Sequence, residues 1–183
     1  MIREWQAVAR RIRVPMGFLF AVLFLLLARP SRHSLLWSVV LTLPGLWLRA
    51  YASGYVKKNA ELAVTGPYAH TRNPLYLGSM MIAFGFALAS RSPTIILTLA
   101  AFFVLIYVPV IRAEEEFLRM KFPEFLDYAH RVPRILPRLT PASLGREPGS
   151  FSMPLYFQHH EYNALIGAAG IYAFLVLSMY LHK

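Results

Sequence analysis

The stretch SPTIILTLAAFFVLIYVPVI, residues 92–111, carries no charged side chain over 20 positions. It runs directly into RAEEEFLRMKF, residues 112–122, where six of eleven residues are charged. A helix crossing a bilayer needs roughly 20 predominantly apolar residues, and the first string supplies them. The second string keeps Phe117, Leu118, Lys121 and Phe122 at helical spacing. The span is therefore expected to continue out of the bilayer as an amphipathic helix.

Four further charge-free runs lie outward of this one, at residues 14–28, 33–48, 73–90 and 162–181. The last two fall in the working range of about 17–25 residues for a spanning helix. The run 33–48 becomes long enough if Arg49 snorkels to the headgroups and the helix continues through Ala50, Tyr51 and Ala52. The run 14–28 is short, and Arg13 and Arg29 must reach outward. A cleaved signal peptide would need a small-residue site near Ala28 with Pro30 close behind, a poor pattern, so a retained first span is expected. The reading is an all-α polytopic membrane protein with five transmembrane helices and a cytoplasmic cofactor-binding lid.

Composition agrees. Of 183 residues, 57% are hydrophobic and 15% charged, against about 25% charged in a typical soluble domain. The absence of cysteine excludes disulfides, thiolate metal sites and cysteine nucleophiles. The formal charge of +10 is explained by topology. With the N-terminus inside, 15 Lys and Arg fall on the cytoplasmic side and four outside, as the positive-inside rule requires. The active site is then cytoplasmic, the C-terminus extracytoplasmic and a nucleic-acid partner unsupported. The organisation expected is one membrane domain, 1–183. It comprises an interfacial helix 1–13, two spans and a loop over 14–64, a motif region 65–137, a linker 138–160 and a last span 161–183.

Two stretches do not read as membrane filler. GPYAHTRNPLYLG, residues 66–78, sets Tyr68, His70, Arg72, Asn73 and Tyr76 at the mouth of a span. Pro74 restricts Asn73 to extended backbone and suits the first turn of the next helix. Gly78 begins a series of small residues that lets helices approach closely. Three adjacent carboxylates, Glu114 to Glu116, gain nothing at the cytoplasmic end of a span unless a cation meets them; Arg72, Arg112 or a ligand cation would serve. Pro44 and Pro109 are expected to kink their helices. His159 and His160 are read as structural, and no metal site is expected. No GxGxxG or Walker A glycine loop is present.

GPYAHTRNPLYLG, then EEEFL, Phe122, Tyr128 and RVPRILP together resemble the isoprenylcysteine carboxyl methyltransferase and phospholipid methyltransferase family of integral membrane enzymes. The resemblance covers residues 65–137. It implies S-adenosyl-L-methionine-dependent methylation of a lipophilic acceptor arriving from the bilayer, with the methyl donor held under a cytoplasmic lid. Arg72, Asn73, Pro74 and Tyr76 match the R-[HN]-P-x-Y motif, Glu114 and Glu115 the paired carboxylates, and Arg134 and Pro137 the closing R-x-x-P. Asn73 stands where many members have His, Pro123 replaces a turn glycine, and Val110 stands where isoprenylcysteine members carry an arginine. The resemblance implies Arg72, Glu115 and Arg134 as catalytic residues, and Arg112 is added as the cation nearest the glutamate pair. Together with the chemistry of the motif residues, it places Tyr68, His70, Asn73, Pro74, Tyr76, Gly78, Glu114 and Glu115 around the methyl donor. Carboxyl O-methylation of an isoprenylcysteine-like acceptor is the leading expectation. Phospholipid amine N-methylation is the alternative, and an NADPH-dependent sterol-type reductase a more distant one.

Overall fold

A computed structural model of the chain describes residues 2–57, 60–143, 145 and 149–181. These residues are helical or irregular, with no strand among them. Helix α1 is Ile2–Leu27 and α2 is Arg32–Ser53; a 3₁₀ turn, Gly66–Ala69, precedes α3, Pro74–Ser90. One continuous helix then runs from Pro93 to Lys121. It consists of α4 (Pro93–Phe102), a π turn (Phe103–Tyr107) and α5 (Val108–Lys121). Short helices α6 (Phe125–Arg131) and α7 (Met153–Gln158) lead to α8, Tyr162–Leu181.

Three of these helices, Arg32–Ser53, Pro93–Lys121 and Tyr162–Leu181, are long and apolar enough to cross a membrane. The apolar part of α1 and the whole of α3 are shorter, which differs from the sequence expectation for 73–90. Asn73 caps that helix rather than joining it, so α3 begins at Pro74 and has 17 residues. Conversely, α2 outruns its charge-free segment by enclosing Arg49. That arginine does not snorkel. It turns inward to Glu161, with Nε–Oε2 at 3.0 Å and Nη2–Oε1 at 2.9 Å, and also meets Ser79 Oγ.

Helix α2 is polar inside and apolar outside. Ser38 and Thr42 are fully buried, while Leu36 and Trp37 are 69% and 70% exposed. A water-soluble helix shows the reverse, and this polarity suits a lipid surround. Close approach of α2 and α3 depends on glycines. A Cβ on Gly45 would stand 2.8 Å from Gly78 O, and one on Gly78 would stand 2.7 Å from Gly45 O. At Gly85 a Cβ would collide with Thr42 Oγ1. Ser38 Oγ and Tyr172 OH, 2.9 Å apart, link α2 to α8.

At one end of the bundle short links join the helices. Arg29 N–H donates to Ser90 O at 2.9 Å, and Ser34 Oγ donates to Ala89 O at 2.9 Å. Arg91, with φ of 55°, turns the chain from α3 into α4. At the other end lie the start of α1, the end of α2, the start of α3, the end of α5 and the start of α8. The segment read from sequence as a linker is docked there. Ser152 N–H donates to Gly54 O at 3.0 Å, Phe151 stacks on Tyr51, and His159 Nδ1 lies 3.2 Å from Ser53 O. His160 instead faces Tyr162 OH, so the two adjacent histidines point apart. The segment 2–13 is helical, as expected, but forms one rod with 14–27.

Candidate active site

The mouth of α3 is stapled to the chain beyond α6. Arg72 N–H donates to Pro133 O, Arg138 N–H to His70 O and Ala142 N–H to Ala69 O, all at 2.9–3.0 Å. Prolines at 133 and 137 keep the second segment out of a helix, leaving its carbonyls available to loop donors. Thr71 is buried between the segments, and its Oγ1 reaches Arg134 O at 3.2 Å and Ile135 O at 3.0 Å. Tyr128 OH donates to Tyr68 O at 2.8 Å from beneath. Burial raises the hydroxyl pKa of both tyrosines above the ordinary value, and neighbouring Tyr128 adds to the rise at Tyr68. Both remain neutral hydrogen-bonding groups through the physiological range.

Glu115 sits at the centre. It is 7% exposed and collects three partners from two segments. Arg134 donates to Oε2 from Nε at 2.9 Å, with Nη2 at 2.8 Å from the same oxygen. Asn73 Nδ2 donates to Oε1 at 3.2 Å and to Arg134 O at 3.0 Å. Arg72 Nε lies 3.4 Å from Oε1, near enough for charge attraction but outside hydrogen-bonding geometry. That nitrogen is buried with no hydrogen-bond partner. Two guanidiniums therefore share one carboxylate, and one of them retains an unused donor atom.

Glu114 is exposed and accepts a 2.7 Å hydrogen bond from Tyr76 OH. Tyr76 in turn packs edge-on against Tyr107 of the π turn. Between these groups lies a cavity of about 360 Å³. Glu114, Glu115, Arg72, Asn73, Tyr68 and Tyr76 contribute to its wall, with Phe117, Phe122, Phe125 and Tyr128 supplying apolar rings.

Most of the residues singled out in the sequence thus meet around one cavity, Pro74 included. Four do not line it, and of these Arg134 is tied to the cavity wall through its ion pair with Glu115. His70 directs Nδ1 to Arg138 O at 2.9 Å and serves the staple. Gly78 is taken up by the contact with Gly45 and Arg49, where its lack of a side chain admits α2. Arg112 is exposed on α5, and Arg134, not Arg112, is the second cation on Glu115. Sequence reasoning missed Thr71, Tyr128 and Arg49 as organisers of this region. The buried positions of Thr71 and Tyr128 follow from contacts made 60 to 64 residues apart, which no local spacing signals.

An all-helical bundle with apolar outer faces and an arginine- and glutamate-lined cavity at one end defines a membrane-type protein with a polar site at the bundle mouth. The model of the phospholipid methyltransferase family matches residues 36–124, a region that holds the GPYAHTRNPLYLG and EEEFL strings. Among similar proteins are the nickel-cobalt-cadmium resistance protein NccN of Alcaligenes xylosoxydans xylosoxydans, 42% identical over 99 residues, and the cobalt-zinc-cadmium resistance protein CzcN of Cupriavidus metallidurans, 40% identical over 99 residues. Each alignment covers 54% of this chain and 46% or 45% of the relative. The chain thus matches about half the length of these curated relatives. No solved structure matches.

Proposed function

We propose that the protein is a membrane methyltransferase that uses S-adenosyl-L-methionine and acts on a lipophilic acceptor. The observation that carries this reading is the Glu115 node. It ties the R-x-x-P segment, through Arg134, to the R-N-P-x-Y segment and the glutamate pair that line one cavity at the end of an apolar bundle.

The residues fit the methyl donor. An amino acid headgroup offers a carboxylate and an ammonium, and the cavity wall holds Arg72, with its unpartnered buried Nε, and the exposed carboxylate of Glu114. Glu115 is already neutralised by two arginines, so Glu114 is the better partner for the ammonium and Glu115 the internal counterion that orients Arg72 and Arg134. The faces of Tyr68 and Tyr76 suit adenine or a sulfonium cation. The donor supplies an electrophilic methyl group. The chain's part is to hold the acceptor atom within about 3–3.5 Å of it and to exclude water. The tyrosine and phenylalanine walls do the second.

For the acceptor, carboxyl O-methylation of an isoprenylcysteine-like molecule is the reading we favour, because Arg72 and Arg134 give the site two cations against one buried carboxylate. A carboxylate acceptor is already nucleophilic and needs only orientation. Phospholipid amine N-methylation is the second reading, favoured by the name of the matching family; it requires a base, with the exposed Glu114 in reach. The membrane is taken to be crossed five times, α1 and α3 included, with the site and N-terminus cytoplasmic and the C-terminus outside. The alternation of the helices between the two ends of the bundle supports this arrangement. The relatives' names add a link to metal-cation resistance, which on this reading would act through a modified lipid.

Purified protein in detergent should be thermally stabilised by S-adenosylhomocysteine and not by NADPH. Stabilisation by NADPH alone would overturn the reading. Membranes incubated with methyl-labelled donor should yield labelled lipid. Base-labile label released as methanol identifies an ester, and base-stable label an N-methyl amine.

A further inference from the structure

Pro109 stands at the second position of α5 and has no backbone N–H to give the carbonyl four residues earlier. That carbonyl belongs to Leu105, inside the π turn Phe103–Tyr107. The turn is closed by Val108 N–H bonding to Phe103 O, five residues back. The donor that Pro109 lacks comes from elsewhere: Trp5 Nε1 of α1 donates to Leu105 O at 3.1 Å. One turn along α1, Ala9 is fully buried and packs with Ile106 and Val110. Beside Trp5, Gln6 Nε2 donates to Glu116 Oε1 at 3.2 Å. The first turns of α1 therefore clasp the π turn and the acidic start of the amphipathic extension.

A π turn adds one residue to a helical turn, so every later side chain is rotated by about 100° relative to an unbroken α-helix. In an unbroken helix Glu114 would occupy the direction that Glu115 holds, facing Arg72 and Arg134. Ala113 would then take the direction of Glu114, beside Tyr76. The cavity would keep its internal counterion and lose its exposed carboxylate.

We propose that Trp5 is a positioning residue for the site. By satisfying Leu105 O its indole N–H holds the π turn, and the π turn sets the register that gives Glu115 to the arginines and Glu114 to Tyr76. The consequence for methyl transfer rests on the function proposed above, whereas the clasp itself does not.

The test is a cycle of Trp5→Phe, Pro109→Ala and the double variant in the full chain, followed by amide hydrogen exchange over residues 103–110 and by methyl-transfer kinetics. Trp5→Phe should speed exchange roughly 3- to 10-fold, the loss of one hydrogen bond. Pro109→Ala gives Leu105 O a donor within its own helix. It should slow exchange and yet lower turnover, because an unbroken helix moves Glu114. In that background Trp5→Phe should have no further effect on exchange. Should Trp5→Phe alone fail to fold, the double variant should fold again. An equal effect of Trp5→Phe in both backgrounds, unchanged exchange in Trp5→Phe, a double variant that stays unfolded, or full turnover in Pro109→Ala would overturn the proposal. If the wild-type protein transfers no methyl group, the functional reading fails while the exchange cycle still decides the clasp.

Discussion

Two largely shielded carboxylates at the same end of the bundle invite comparison. Glu161, at the start of α8, and Glu115, on α5, have side chains 10% and 9% exposed. Glu161 has one arginine, Arg49, bound through two parallel N–H···O contacts, while Ser79 takes a third N–H of the same guanidinium. Charge and hydrogen bonding are both closed there. Glu115 has two arginines and an asparagine, with Arg72 Nε left over. The first arrangement locks α2, α3 and α8 together; the second leaves cationic surplus beside a cavity. A satisfied pair reads as structure, and a surplus with an unused buried donor reads as a site. Burial alone does not distinguish them.

The largest effect that would sharpen this contrast is expected at Glu115. Removing one partner of a buried pair costs about 3–5 kcal/mol, and Glu115→Gln leaves two guanidiniums facing each other. It should destabilise the protein and abolish methyl transfer together. Glu161→Gln should cost comparable stability, read by thermal unfolding in detergent, while the surviving folded protein keeps most of its turnover per molecule. Equal loss of specific activity in both variants would erase the distinction between lock and site.

Next is Arg72→Ala, which should lower turnover more than either Arg134→Ala or Arg112→Ala, since Arg72 lines the cavity and its Nε is buried there without a hydrogen-bond partner. Arg112 is exposed and lines no part of it, so Arg112→Ala should be nearly silent. Bisubstrate kinetics on the three variants would show the order. Glu114→Gln should weaken binding of S-adenosylmethionine by about 10- to 100-fold, the worth of a charge-assisted hydrogen bond, without moving the unfolding midpoint. Calorimetry on the folded variant tests it, and unchanged affinity would remove Glu114 from the donor site.

The smallest effect concerns the staple. Tyr128→Phe removes one hydrogen bond, to Tyr68 O, at a cost of about 1 kcal/mol. The pH dependence has a definite sign. Tyr68 and Tyr128 have folded-state pKa values raised by burial, above the unfolded value of about 10. Their stabilisation is complete below that value and is lost as pH rises past it, because the unfolded chain then releases protons that the native state keeps. Thermal melts between pH 8 and 11 should show the decline, and Tyr128→Phe should shallow it.

Much of this was legible in the residues themselves. Charge-free length and the motif strings at 66–78 and 114–118 indicate a helical, membrane-type chain and the family model that its central region matches, because hydropathy and the backbone constraints of Pro74 act locally. The partnership of Glu115 with Arg72 and Arg134, the inward turn of Arg49 and the docking of residues 149–161 on α2 are contacts between segments distant in sequence. Spacing carries no information about them. The phase of Glu114 and Glu115 is the clearest case: the run of three glutamates looks the same in any register. Only the turn at 103–107, imposed by a proline without an N–H and completed by an indole from another helix, decides which carboxylate faces the arginines.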